Sequence, residues 1–273
     1  MARSYITIQS ESDVEDFFIP KNLSPSELQQ LILWKKAIDY GDLKQAKKLY
    51  SWMDTDYSES LQLAIFWHIF CRCKMDFLRF CIESCHFNAN LFNADGSSTL
   101  HIAADNGWLE GVRYLVEECH CDPNAKDCRG NIPLHGAIYD GDLPTVRYFI
   151  ETCQCNPEAM ENGDSTALIT ASDAHLADMD IMEYLVEVCH VDVNARKKGG
   201  YPALFYAANS GQDDKVQYLC EHGANVNVKN DQGVSMLRAL YSRYDELDAD
   251  IGDGVTHEIL YYLRGQGAVD YPE

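Results

Sequence analysis

The chain has 273 residues, with 22 Lys or Arg against 43 Asp or Glu, a formal net charge of −21. A field of that sign repels phosphate backbones and anionic membrane surfaces, so nucleic acid and lipid are excluded as expected partners and basic ones are favoured. Eleven cysteines, an odd count spread through helical patterns, point to reduced thiols in a cytosol-like compartment. No basic segment followed by an apolar one opens the chain, so no secretory leader is expected. The longest apolar run, Leu61 to Phe70, contains Gln62 and His68 and is too short to span a bilayer.

In chain order, residues 1–22 carry Ser, Glu and Asp without a period. They read as a mobile acidic tail whose Phe17, Phe18 and Ile19 pack back on the first helix. Ser24-Pro25-Ser26-Glu27 is a capping box with Pro at the first helical position, and Leu28, Leu31, Ile32 and Trp34 follow at helical spacing. Ala37-Ile38-Asp39-Tyr40-Gly41-Asp42-Leu43 nearly returns as Ala137-Ile138-Tyr139-Asp140-Gly141-Asp142-Leu143. In both, a short helix ends at Gly, which accepts the left-handed conformation, and a second helix follows. Its apolar positions are Ala46 and Leu49 in one copy and Val146 and Phe149 in the other.

A second block recurs downstream. Ser98-Thr99-Leu100-His101-Ile102-Ala103 returns as Ile132-Pro133-Leu134-His135-Gly136-Ala137, and weaker copies centre on Leu168, Leu204 and Leu237. The leucines at 100, 134, 168, 204 and 237 are 34, 34, 36 and 33 residues apart. A fixed period in this range marks one supersecondary unit stacked on itself. The loops repeat as well: Cys85-His86, Cys119-His120, Cys153-Gln154 and Cys189-His190 align, and the last copy reads Gly223-Ala224-Asn225-Val226-Asn227.

With Ile132-Pro133-Leu134-His135, Val112-Arg113-Tyr114-Leu115-Val116, Gly223 to Asn227 and Asp127-Cys128-Arg129-Gly130, the chain resembles the ankyrin-repeat family. The resemblance implies an all-α solenoid of about seven helix-turn-helix units joined by β-hairpin-like loops. The helix pairs are expected near 24–50, 58–85, 98–119, 132–153, 166–189, 202–222 and 235–265. The organisation follows: an acidic tail over 1–22, two divergent N-terminal units over 23–97, four regular repeats over 98–234, and a capping repeat with an acidic insertion over 235–273. Departures from the pattern are a Cys in place of the usual Gly in four loops, with one extra residue after it. Others are a longer turn between Ala64 and Leu78, an added residue around Ala174 to Asp180, and an insertion from Tyr244 to Val255.

Candidate chemistry is sparse. His101 and His135 occupy the motif position whose ring is structural in ankyrin repeats. Zinc needs four ligands about 2.0–2.3 Å from one point, whereas equivalent cysteines of successive repeats stand about 8–10 Å apart and form a ladder. Adjacent Cys-His side chains diverge, with no third group to orient a nucleophile. From Asp248, an EF-hand register puts Gly252 at position 5 and Ile259 at position 12, so the acidic stretch is not a calcium loop. No metal, cofactor or catalytic residue is expected.

The family resemblance implies binding on the concave face, and it identifies candidates residue by residue. Inner-helix positions are Ile102, Asp105 and Asn106, then Tyr139 and Asp140, Thr170 and Asp173, Tyr206 and Asn209, and Tyr241; Trp108 stands beside a Gly turn. Hairpin tips are Asp95, Asp127, Arg129, Asn162, Lys197, Lys198 and Asp231. Tyr139 and Tyr206 among acids suggest a groove for a partner protein's Lys- or Arg-bearing segment. The expectation is thus a monomeric, non-enzymatic interaction module of the cytoplasm, or of a host cytosol if exported as an effector. The alternative is an effector or enzyme-like protein whose activity lies in the irregular units 1–97 or 240–273.

Overall fold

The computed structural model describes residues 23–52, 57–158, 165–175, 177–247 and 255–269. The tail over 1–22, the tip residue Asn162 and the acidic stretch 248–254 lie outside the described residues. The chain forms two compact units, Met1–Cys128 and Arg129–Glu273.

In the N-terminal unit α1 (Pro25–Asp39) and α2 (Leu43–Trp52) form the first pair, α3 (Glu59–Cys71) and α4 (Met75–Arg79) the second, and α5 (Thr99–Ala104) and α6 (Leu109–Glu117) the third. The expected capping box starts α1: Glu27 N donates to Ser24 Oγ at 3.3 Å, and Ser24 N donates back to Glu27 Oε2 at 2.7 Å. Leu31, Trp34 and Ile38 turn inward, whereas Ile32 is 39% exposed on the opposite side. Aromatic side chains hold this end. Trp34 stacks on Phe80 at 6.3 Å, and its Nε1 donates to Tyr57 Oη at 3.3 Å. The longer second unit comes from α3, which runs 13 residues to a short turn at Arg72–Lys74, and not from the extended turn expected between Ala64 and Leu78.

The C-terminal unit contains α7 (Pro133–Asp140), α8 (Leu143–Arg147), α9 (Ala167–Asp173), α10 (Met179–Glu183), α11 (Ala203–Asn209), α12 (Asp213–Glu221), α13 (Met236–Leu247) and α14 (Val255–Gly265). The inner helices α7, α9, α11 and α13 pack side by side in that order. Gly141 closes α7 at φ 87°, a conformation that costs a side-chain-bearing residue about 1 kcal/mol. Residues 244–247, expected in an insertion, continue α13 instead. The five periodic leucines are all buried, as their spacing requires, and each contributes about 1.5–3 kcal/mol of apolar burial.

The four Cys loops share one device. The last turn of each outer helix widens to a π-turn, with Cys85 N, Cys119 N, Cys153 N and Cys189 N donating five residues back to Phe80, Tyr114, Tyr148 and Tyr184. The next residue, His86, His120, Gln154 or His190, takes the left-handed conformation at φ 55–57°. In the sixth repeat Gly223 fills that place at φ 85°, and Ala224 N reaches Leu219 O without the extra residue. The expected substitution of Cys for Gly is therefore corrected: the His or Gln after the Cys takes the glycine's conformation, and the widened turn absorbs the inserted residue.

Candidate protein-binding surface

On inner helices of one register, residues 139, 173 and 209 form one row and residues 136, 170 and 206 another, three positions apart and hence on one side of each helix. In the C-terminal unit this side is open. Tyr139 is 62% exposed, Asp173 is exposed, and Asp140, Tyr206 and Asn209 are half-buried. Gly136 and Thr170 add little bulk between the two tyrosines. Asp173 Oδ1 accepts from Ser210 Oγ at 2.9 Å, which ties α9 to the end of α11. Burial, and then the neighbouring Asp142, push the Asp140 carboxyl above its ordinary range. Burial first, then Asp173 and Tyr201, push the Tyr206 phenol up to about 12. Both groups sit where an added positive charge would be welcome.

The basic hairpin tip divides into three roles. Arg196 is part of the framework: its guanidinium donates to the carbonyls of Gly200 and Lys229 and lies 3.8 Å from Asp231 Oδ1. Lys197 places Nζ 4.2 Å from the centroid of the Tyr206 ring. Lys198 is exposed. Tyr241 is half-buried under the Arg264 guanidinium at 5.0 Å, beside a shallow apolar hollow of about 440 Å³ that Leu260 and Tyr261 also line. Arg129 is exposed in the loop before α7.

The candidates in the N-terminal unit fare differently. Ile102 and Trp108 are 7% and 6% exposed, so both belong to the interior and not to a contact surface. Trp108 packs against Phe70 at 6.0 Å and fills the space over Gly111. Asn106 Nδ2 donates to Ile102 O at 2.7 Å, leaving Asp105 as the exposed member of the group.

The motif histidines are held structurally. His101 Nδ1 is 3.1 Å from Ser98 N and 2.8 Å from Ser98 Oγ. His135 Nδ1 accepts from Ile132 N at 3.2 Å, and its Nε2 is 3.3 Å from Ser165 O in the next repeat. Burial pushes the Cys119, Cys189 and Cys220 thiols up, opposite to the shift that activates a nucleophile. Among the described residues no group of three or more His, Cys, Asp or Glu is placed to hold a metal ion, and no helix is long and apolar enough to cross a membrane.

Sequence reasoning missed Lys215. It is 5% exposed in α12, and Nζ donates to Ala171 O at 2.8 Å and Ala174 O at 2.7 Å, with Gln212 Nε2 3.4 Å from the carbonyls of Ser172 and Ala174. Burial brings its ammonium down to about 8, against an upward pull from Asp178 and Asp173. The signal was the missing glycine: Ala174 ends α9 in an extended conformation, so the terminal carbonyls need donors from elsewhere.

The family model for ankyrin repeats matches in three copies, over residues 34–127, 65–160 and 134–230. The chain belongs to the ankyrin-repeat family. A comparison with curated proteins returned no match. Ankyrin repeats generally mediate protein–protein interaction.

Proposed function

We propose that the C-terminal unit is a non-enzymatic binding module that takes a Lys- or Arg-bearing segment of a partner protein across α7, α9 and α11. The observation that carries this is Tyr139, a large aromatic left 62% exposed beside Asp140 and in register with exposed Asp173. Exposed aromatics ringed by groups of one charge are the usual anchors of an interface, and the net charge of −21 steers basic partners toward them. Eleven free thiols fit action in a reducing compartment such as the cytoplasm.

The test is a double variant, Tyr139→Ala with Asp140→Arg. Binding of a captured partner should weaken by about 2–4 kcal/mol while the circular dichroism and melting temperature stay unchanged. A partner retained at full strength by the folded double variant would rule out this face.

A further inference from the structure

Resting on the binding reading above, we infer that the face of the Tyr206 ring is a seat for one ammonium or guanidinium group. In the free protein the chain's own Lys197 fills the seat, and a Lys or Arg of the partner takes it over. Lys197 Nζ lies 4.2 Å from the ring centroid, well within the range of a cation–π contact. The ring has aromatic support. Phe205 meets it edge-on at 5.3 Å and 90°, and Tyr201 stacks on Phe205 at 4.0 Å and 17°. Tyr201 Oη donates to Val234 O at 3.2 Å, which anchors the aromatic row to the following loop. The platform is therefore built before any ligand arrives.

The occupant is the mobile partner of this pair. Lys197 carries its charge on a four-carbon stem with rotatable donors, in contrast to the carbonyl-bound Arg196. Asp173, held at 2.9 Å by Ser210 Oγ, adds negative charge from the preceding inner helix, so the surroundings favour a cation whichever chain supplies it. A protein with 43 acids against 22 bases has placed one of its few lysines on an aromatic face of its open side. That lysine competes with incoming basic side chains and rejects segments too weakly basic to displace it.

The full-length protein is titrated with a fluorescein-labelled peptide of alternating Ser and Lys, with the Lys-acetylated peptide as control. Lys197→Ala and Lys198→Ala remove the same charge, but only the first vacates the ring. Lys197→Ala should tighten binding about threefold or more beyond Lys198→Ala, and Tyr206→Leu, which keeps the bulk, should abolish that difference. In NMR spectra the Lys197 ε-methylene protons should be shifted upfield in the free protein and return to their ordinary position as the peptide saturates. Equal gains from both Lys→Ala variants, a gain that survives Tyr206→Leu, or no binding of the peptide overturns the seat. If Tyr139→Ala with Asp140→Arg weakens the peptide while Lys197 and Lys198 behave alike, the binding face stands and the seat falls. If only the Lys197–Tyr206 effects appear, the seat stands and the wider face falls.

Discussion

Gly111 in the N-terminal unit and Lys215 in the C-terminal unit hold the same place in the repeat, the third residue of an outer helix, and serve it in opposite ways. At Gly111 an added Cβ would lie 2.3 Å from Trp108 Cε3, so the indole fills the slot between inner and outer helices. In the C-terminal unit the equivalent Thr145 donates to Asp142, and Lys215 sends its ammonium to the end of α9. One unit closes the slot with an aromatic ring drawn inward. The C-terminal unit closes it with polar groups at Thr145 and Lys215 and with the buried apolar Ile181 in α10. The register of Tyr139 falls on Asp105 in the N-terminal unit and is exposed in both, whereas the register of half-buried Tyr206 falls on Ile102, which is buried.

The largest expected effect tests that contrast directly. Trp108→Ala should cost about 3–5 kcal/mol in urea unfolding, whereas Tyr139→Ala should stay within about 0.5 kcal/mol of the parent. Comparable losses from the two would erase the distinction between the buried indole and the exposed phenol. Lys215→Met should cost about 2–3 kcal/mol, because the carbonyls of Ala171 and Ala174 lose a shared donor. It also carries a pH signature. The folded ammonium titrates at about 8 and the unfolded one at 10.5, so the unfolded chain binds more protons across that window. Stability from this group therefore rises with pH over the same range, and the rise should be missing from Lys215→Met when the two proteins are compared point by point. The smallest effect is a gain: His190→Gly should add about 1 kcal/mol by relieving a left-handed residue in an exposed loop.

The leucines at 100, 134, 168, 204 and 237 announced the fold because a period is a property of the whole chain, which no single neighbour can override. Tyr139 and Asp173 were legible for the same reason, being set by register alone. The burial of Trp108 was not, since it depends on the missing side chain at Gly111 and on Phe70, brought in from another repeat. Lys215 carried no local signal either: a lysine in a helix usually points to water, and only the carbonyls left bare by Ala174 turn it inward. The framework role of Arg196 was not legible, because its carbonyl partners are backbone atoms with no identity in the sequence.

The widened last turn of the outer helices has a consequence for how this chain tolerates change. One residue inserted within an α-helix rotates everything after it by about 100°, which would swing a buried face into water. Placed at Cys85, Cys119, Cys153 or Cys189, the same insertion is taken up by a five-residue hydrogen bond and a single left-handed residue. Within each unit the next inner helix then starts in phase with the one before it. Each of these four outer-helix ends is in effect a slip joint, where a repeat can gain or lose a residue without turning its buried face toward water.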